Sequence, residues 1–336
     1  HFVSAVAVAF GTLFSAFWIL SANSWMQTPA GYSVDANGVF FPENWWAIIF
    51  NPSFPYRFVH MVTAAYLTTA FVVIGVSAWY LLKNRFHTQA RLGLKLGLGF
   101  VAIMAPLQVI LGDLHGLNTF EHQPAKVAAM EGHWEEQEGA PAILFAIPDQ
   151  EAETNHWQIA VPYLGSIILT HEVMGTVHGL KAYPPEDRPP VAVVFWTFRL
   201  MVVIGFWMVF IAWRGYYLHR KGRLAESRGF LKMCAASLPI GFIAILAGWF
   251  TTEVGRQPWV VHELMRTVDA ASPLPGGTVA ASLLGFVVAY TFIFGFGIYY
   301  LAKIVRIGPR PHKPTAEARS PQRPLSGADQ RMDEEE

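Results

Sequence analysis

Few residues in this chain can do chemistry, and most of them sit where charge is costly. Arg199 interrupts the run "FWTFRLMVVIG" (195–205), which holds no other charged residue, and Met201 follows two positions later. His60, in "YRFVHMVTAAYLTT", is the one histidine of 12 that falls inside a long apolar segment. Two readings are open to it: a neutral imidazole hydrogen-bonded to a neighbouring helix, or a metal ligand, most naturally to haem iron. Methionine alone is ordinary packing material. Taken with His60 from a second helix, Met201 would complete a His/Met axial pair of the electron-transfer type. Positions i and i+2 lie about 200° apart round a helix, so Arg199 cannot face the same iron as Met201. It would reach round to a haem propionate, serve a second cofactor, or pair with a carboxylate on another helix. Trp249 and Glu253, four residues apart in "LAGWFTTEVGRQPW" (246–259), share a helix face. Glu253 is then either a solvated end cap or a second ligand.

Positioning these residues falls to membrane helices. Of 336 residues, 53% are hydrophobic and only 14% charged, against roughly 25% charged in soluble domains. Six segments approach the ~20 apolar residues that cross a bilayer: 2–22, 58–82, 96–112, 191–213, 233–252 and 277–302. Pro106 and Pro239 fall inside two of them, tolerable where neighbouring helices satisfy the freed backbone groups. Segments 83–95, 214–232 and 303–336 hold four, six and seven Lys/Arg, whereas 23–57, 113–190 and 253–276 hold one, three and two. The basic segments are expected inside and the others outside. His60, Arg199, Met201, Trp249 and Glu253 then all map to the outer halves of their spans. Met201, about 15 Å down a helix starting at Val191, is expected deeper than His60, a difference that tilt would have to absorb. The outer segment 113–190 is long for a connection, and long loops tend to be functional. Its apolar piece "WQIAVPYLGSIIL" (157–169) is expected to pack or to lie on the membrane.

Composition also excludes several classes. The single cysteine, Cys234, rules out an internal disulfide framework and any CxxC metal site. Zero formal net charge with no gathered basic patch argues against a nucleic-acid partner. Residues 308–336 lack an apolar pattern and read as a disordered inner tail. The chain opens at His1 inside an apolar run, as a piece of a longer protein would.

Ordered motifs carry a resemblance. "ILSANSWMQTP" (19–29), "RFVH" opening a span, "GDLHG" closing one, "KVAAMEGHWE" (126–135), "IPDQEAETN" (147–155), "FRLM" (198–201) and "GWFTTEVGRQPW" (248–259) resemble subunit I of the cytochrome bd-type quinol oxidases. The resemblance runs in order to about residue 308, and the direct passage of "GLKAYPPEDRPPVAVVF" into the fourth span is similar to the short-loop members. It implies an all-α, polytopic transmembrane helix bundle with a long extracytoplasmic loop. Residues 1–112 would form three spans, 113–190 the quinol-binding loop, 191–307 three further spans with haem-site residues, and 308–336 the tail.

By that resemblance His60 and Met201 ligate a low-spin b haem supported by Arg199, and Glu253 ligates a high-spin b haem. Trp249 packs between haems, and Arg256 of "GRQPW" joins the cofactor-binding set. Lys126 and Glu131 match positions tied to quinol oxidation, although loop composition alone would make them a solvated helix. A third cofactor, haem d, is implied with its dioxygen-reducing site, and the family's further N-terminal helices that complete that site are not in this sequence. The family further implies a second, smaller membrane subunit and a place in the bacterial cytoplasmic (inner) membrane. Its activity is quinol:dioxygen oxidoreduction, with electrons passing from quinol through the b haems to haem d and building membrane potential. Two rivals stay open: a b-type cytochrome that oxidises quinol without reducing dioxygen, and a haem-free transporter or scaffold in which Arg199 and Glu253 are a buried ion pair.

Overall fold

The computed structural model describes residues 2–309; most of the expected tail, 310–336, lies outside the described residues. Among them, six helical spans are long and apolar enough to cross a membrane, one of them, Arg228–Val254, through a break. In chain order the helices are α1 (Phe2–Gln27), α2 (Trp45–Ile49), α3 (Phe54–Leu82), α4 (His87–His122), α5 (Pro124–Glu131), α6 (Leu164–Thr170), α7 (Val191–Arg220), α8 (Arg228–Ala236), α9 (Ile240–Val254) and α10 (Gly276–Ile307). Two compact units divide at Gly285, within α10, and all site residues lie in the first. The second unit's described part is the rest of α10, where Phe286, Tyr290 and Phe294 stack in sequence along one face.

Two expected spans change shape. The segment 96–112 belongs to a much longer helix, α4, which continues to His122. Asp113 ends the apolar run but nothing there ends the helix; the next proline, Pro124, starts α5 after the turn at Gln123. Ten residues assigned to the outer loop are therefore helical. Conversely, the segment 233–252 is two helices rather than one. Pro239, which lacks an N–H and crowds the preceding turn, falls between α8 and α9. The break is held by Trp207, whose indole N–H donates to Ser237 Oγ at 2.9 Å, and by Leu238, seated against Gly75 of α3. Pro106, by contrast, is accommodated inside α4.

Helices α3 and α4 pack together, α4 packs on α7, α7 on α9, and α9 on α3. This closes a four-helix ring with α3 diagonal to α7, an arrangement that commonly holds cofactors between facing side chains. Glycines set the closest approaches: a Cβ at Gly97 would meet Ile74 at 2.7 Å, and one at Gly241 would meet Thr68 at 2.5 Å. A hydroxyl pair, Thr197 on α7 and Thr251 on α9, adds a 2.9 Å hydrogen bond across the ring.

The segment 113–190 folds over one end of this ring. It contains α5, α6 and the antiparallel hairpin β4 (Ala142–Asp149) and β5 (Thr154–Val161). Val127, Ala128, Met130, Trp134, Ala140, Leu169, Val177 and Leu180 form its own apolar core, continuous with Val191 and Val194 of α7. The piece 157–169 makes β5 and most of α6, but Trp157, Ile159 and Tyr163 point outward rather than into that core.

Candidate functional site

His60 lies on α3 with its ring against Gly112 of α4, where an added Cβ would sit 3.3 Å from ring Cε1. The Gln108 amide nitrogen lies 3.2 and 3.3 Å from the two ring nitrogens, and the His115 ring is centred 5.4 Å away. Gln108 Oε1 is buried without a partner. Met201, on α7, places its sulfur against Gly248 of α9, where a Cβ would come within 2.8 Å. Both candidate axial ligands are thus neutral donors on diagonal helices, each cradled by a glycine of the next helix in the ring. A neutral imidazole and a thioether are the donor set of a low-spin haem, so the residues fit the implied group. The depth difference also shrinks. Helix α3 begins at Phe54, four residues before the expected start. His60 is then about 9 Å along its helix and Met201 about 15 Å along α7.

Arg199 is engaged elsewhere. Its Nε donates to Ile143 O at 3.0 Å, Nη1 to the carbonyls of Met130 and Phe195, and Nη2 to Glu131 O, Glu131 Oε2 and Ile143 O. The guanidinium also stacks on Phe195, with its carbon 3.5 Å from the ring centroid. Every donor is used on the segment 113–190 or on its own helix, with Glu131 supplying a carboxylate from another helix. The residue tolerates its apolar helix because it fastens the loop to α7.

Glu131 and Lys126 share α5 but face different ways. Glu131 meets Arg199 at 3.4 Å with its side chain 17% exposed. Lys126 is buried, donating to Gln27 Oε1 at 2.6 Å and Gln123 Oε1 at 2.5 Å, and its stem packs beside Gly255. Burial, reinforced by the charge of Arg57, pushes the Lys126 ammonium well below its usual range. Neither residue is the solvated loop position that composition alone would suggest.

Glu253 closes α9. Its Oε1 accepts from Asn23 Nδ2 at 2.7 Å, and its Oε2 pairs with Arg256 Nη2 at 2.5 Å. Lone pairs remain on both oxygens, so the carboxylate fits a hard ligand to iron. Trp249, one turn earlier, is 59% exposed and touches Phe250. Arg256 spends Nη1 on Val260 O and leaves Nε without a partner.

The motif "IPDQEAETN" proves to be loop architecture. Asp149 accepts from the backbone of Glu151 and Ala152, Glu153 pairs with Arg188 at 2.5 Å, and Asn155 links Gly132 O to the Trp134 indole. Sequence reasoning missed Arg57, Gln108, Gly112 and Gly248. Only Arg57 carried a visible signal, a charge three residues before His60 in "RFVH".

A family model described as cytochrome bd terminal oxidase subunit I matches residues 1–309. The chain is 33% identical to cytochrome bd-II ubiquinol oxidase subunit 1 of Escherichia coli, over 92% of this chain and 73% of that protein. It is 36% identical to cytochrome bd ubiquinol oxidase subunit 1 of Bacillus subtilis, over 92% and 68%. Among solved structures, the bd oxidase from Geobacillus thermodenitrificans superposes with a TM-score of 0.82 at 30% identity, over 90% of this chain and 69% of that one.

Proposed function

The chain belongs to the cytochrome bd terminal oxidase subunit I family, and we propose that it is the subunit that oxidises quinol on the outer side of the bacterial inner membrane and passes the electrons to dioxygen. It is a multi-pass membrane protein and an oxidoreductase of electron transport. The observation that carries the site reading is the pair of neutral donors, His60 and Met201, each set against a glycine on a ring of four helices.

In this reading His60 and Met201 hold a low-spin b haem and Glu253 a high-spin b haem. When bound, haem supplies one-electron transfer at a potential tuned by its axial ligands. Arg256 and Asn23 orient the Glu253 carboxylate, and Trp249 offers an apolar wall between haems. Haem d, and the second, smaller membrane subunit, complete the assembly. A quinol gives up two electrons and two protons. Two quinols therefore supply the four electrons that turn one dioxygen into two waters. Releasing those protons outside while drawing the water protons from inside builds membrane potential. Glu131, held by Arg199, is the proton acceptor near the quinol head group. Buried Lys126, held by Gln27 and Gln123, lies on the same short helix, and Arg199 supports the haem indirectly, by fixing the loop. The sparsely basic outer segments support the orientation.

A reduced-minus-oxidised optical spectrum of the assembled complex, compared with Met201→Leu, tests this. The parent should show a low-spin b signal that the variant loses or converts to high-spin; a parent without haem absorbance would sink the reading. Quinol oxidation and oxygen uptake measured together in Glu253→Gln separate the oxidase, which should lose oxygen uptake, from a quinol-oxidising b cytochrome, which would show none in the parent and keep its quinol oxidation in the variant.

A further inference from the structure

Arg57 stands on α3 three residues before His60, close to the same face. It is 6% exposed. Among the described residues its guanidinium has no hydrogen-bond or ion-pair partner, and its Nε is a buried orphan. Lys126, 3% exposed, rests only on neutral amide oxygens. Arg256 has its single carboxylate, Glu253. Arg57, Lys126, Arg256 and Glu253 are close enough to act on one another electrostatically. With Glu253 already paired to Arg256, Arg57 is left as a buried cation in surplus.

Such a surplus is expensive, since a buried ion without a counter-charge costs several kcal/mol. Lysine can escape by losing its proton, but a guanidinium cannot deprotonate in a protein. Its planar fork is shaped for a carboxylate, taken through two parallel hydrogen bonds. What the pocket lacks is an anion bearing carboxylates, next to the helix face that carries His60. We propose that Arg57 anchors a propionate carboxylate of the haem held at His60. This rests on the His60–Met201 reading above. In this arrangement Arg57 contributes to the haem potential, because a cation beside the macrocycle favours the reduced iron, which carries one positive charge fewer.

The test uses the whole complex carrying Arg57→Met or Arg57→Lys, beside the parent and Met201→Leu. Haem stoichiometry, an optical redox titration of the low-spin component and redox-difference infrared spectra of the carboxylate region are recorded. Arg57→Met should keep the low-spin spectrum while its redox equilibrium shifts about tenfold toward the oxidised form, about 59 mV for one electron. Arg57→Lys should recover most of that potential but still move a propionate band, because an ammonium cannot reproduce the fork. Parental potential in Arg57→Met together with unmoved carboxylate bands in both variants would overturn the proposal. Should Arg57→Met fail to assemble, the infrared bands of Arg57→Lys decide alone. A low-spin signal absent from the parent, or unchanged in Met201→Leu, would remove the premise and the proposal together, and is distinguishable because it does not involve Arg57.

Discussion

The two candidate iron sites are built on opposite plans. Around His60 and Met201 the chain supplies its own walls: four helices in a ring, glycines behind both ligands, and a side-chain amide against the imidazole. Around Glu253 and Trp249 it supplies one side only. The carboxylate ends a helix, leans on Arg256 and Asn23, and the indole one turn below is more than half exposed. Neutral donors suit the first place, where Arg57 is already a buried charge without a partner among the described residues. An anionic ligand suits the second, where a guanidinium already balances it. The contrast assigns different vulnerabilities: packing controls the first site and charge controls the second.

Gly248→Ala attacks packing most directly. Its Cβ would fall 2.8 Å from the Met201 sulfur, and a flexible thioether moves away at little cost in folding. The low-spin signal should drop by more than half at unchanged haem stoichiometry, read by the optical spectrum. Gly112→Ala is the milder partner, because its Cβ would stand 3.3 Å from the His60 ring. It should broaden or shift the low-spin band rather than abolish it. If both alanines were silent, the glycines would not be cradling ligands and the contrast between the sites would fail. Glu253→Gln attacks charge. Breaking a buried pair costs roughly 3–5 kcal/mol, and the 22% exposure of Glu253 places this case lower. We expect loss of the high-spin component, a lowered Tm and a retained low-spin signal. Loss of both components in parallel would mean that the sites are one unit.

How much of this was legible beforehand follows from what sequence patterns encode. Helix number was readable, and His60 could be singled out, because hydrophobic length and a lone histidine in an apolar run are local signals. The extension of α4 to His122 was not, since a helix leaving the bilayer loses its apolar pattern without losing its geometry. Nor was the cut at Pro239: Pro106 sits in an equally apolar run and leaves α4 whole. Whether the freed backbone groups find partners depends on the folded surroundings; at the break the Leu238 and Ile240 N–H groups turn to Ala235 O and Ser237 O, each at 3.3 Å. Arg199 was conspicuous as a charge, yet most of its acceptors are backbone carbonyls 56 to 69 positions away in the chain. No residue type announces those. Arg57 shows the reverse case: its position was plain, but its meaning lay in the absence of any partner once the chain had folded.

Beside the second site, at the hairpin after α9, His262 offers a finer probe. Its N–H bonds to Met26 O through the backbone at 3.0 Å, while burial, then the charges of Lys126 and Arg256, lower its imidazole to about 4. A histidine whose folded value lies below its unfolded 6.5 leaves stability intact above that value. Stability is then progressively lost as pH falls from 6.5 toward 4. Tm measured at pH 7.5 and 5 should therefore fall with acidity, and His262→Gln should flatten part of that fall.

The smallest effect belongs to Trp249→Leu. An indole 59% exposed contributes little buried area to the fold, so Tm should stay within about 2 °C, as expected for a change well under 1 kcal/mol. If the indole is a wall between haems, however, the rate of electron transfer from the low-spin to the high-spin component should slow, read by flash-induced or stopped-flow absorbance. A thermally neutral variant with slowed transfer would set the open site apart from the closed one as a surface kept for a cofactor. A Tm loss of several degrees with unaltered transfer would instead make Trp249 a packing residue, and the two sites would differ in exposure but not in role.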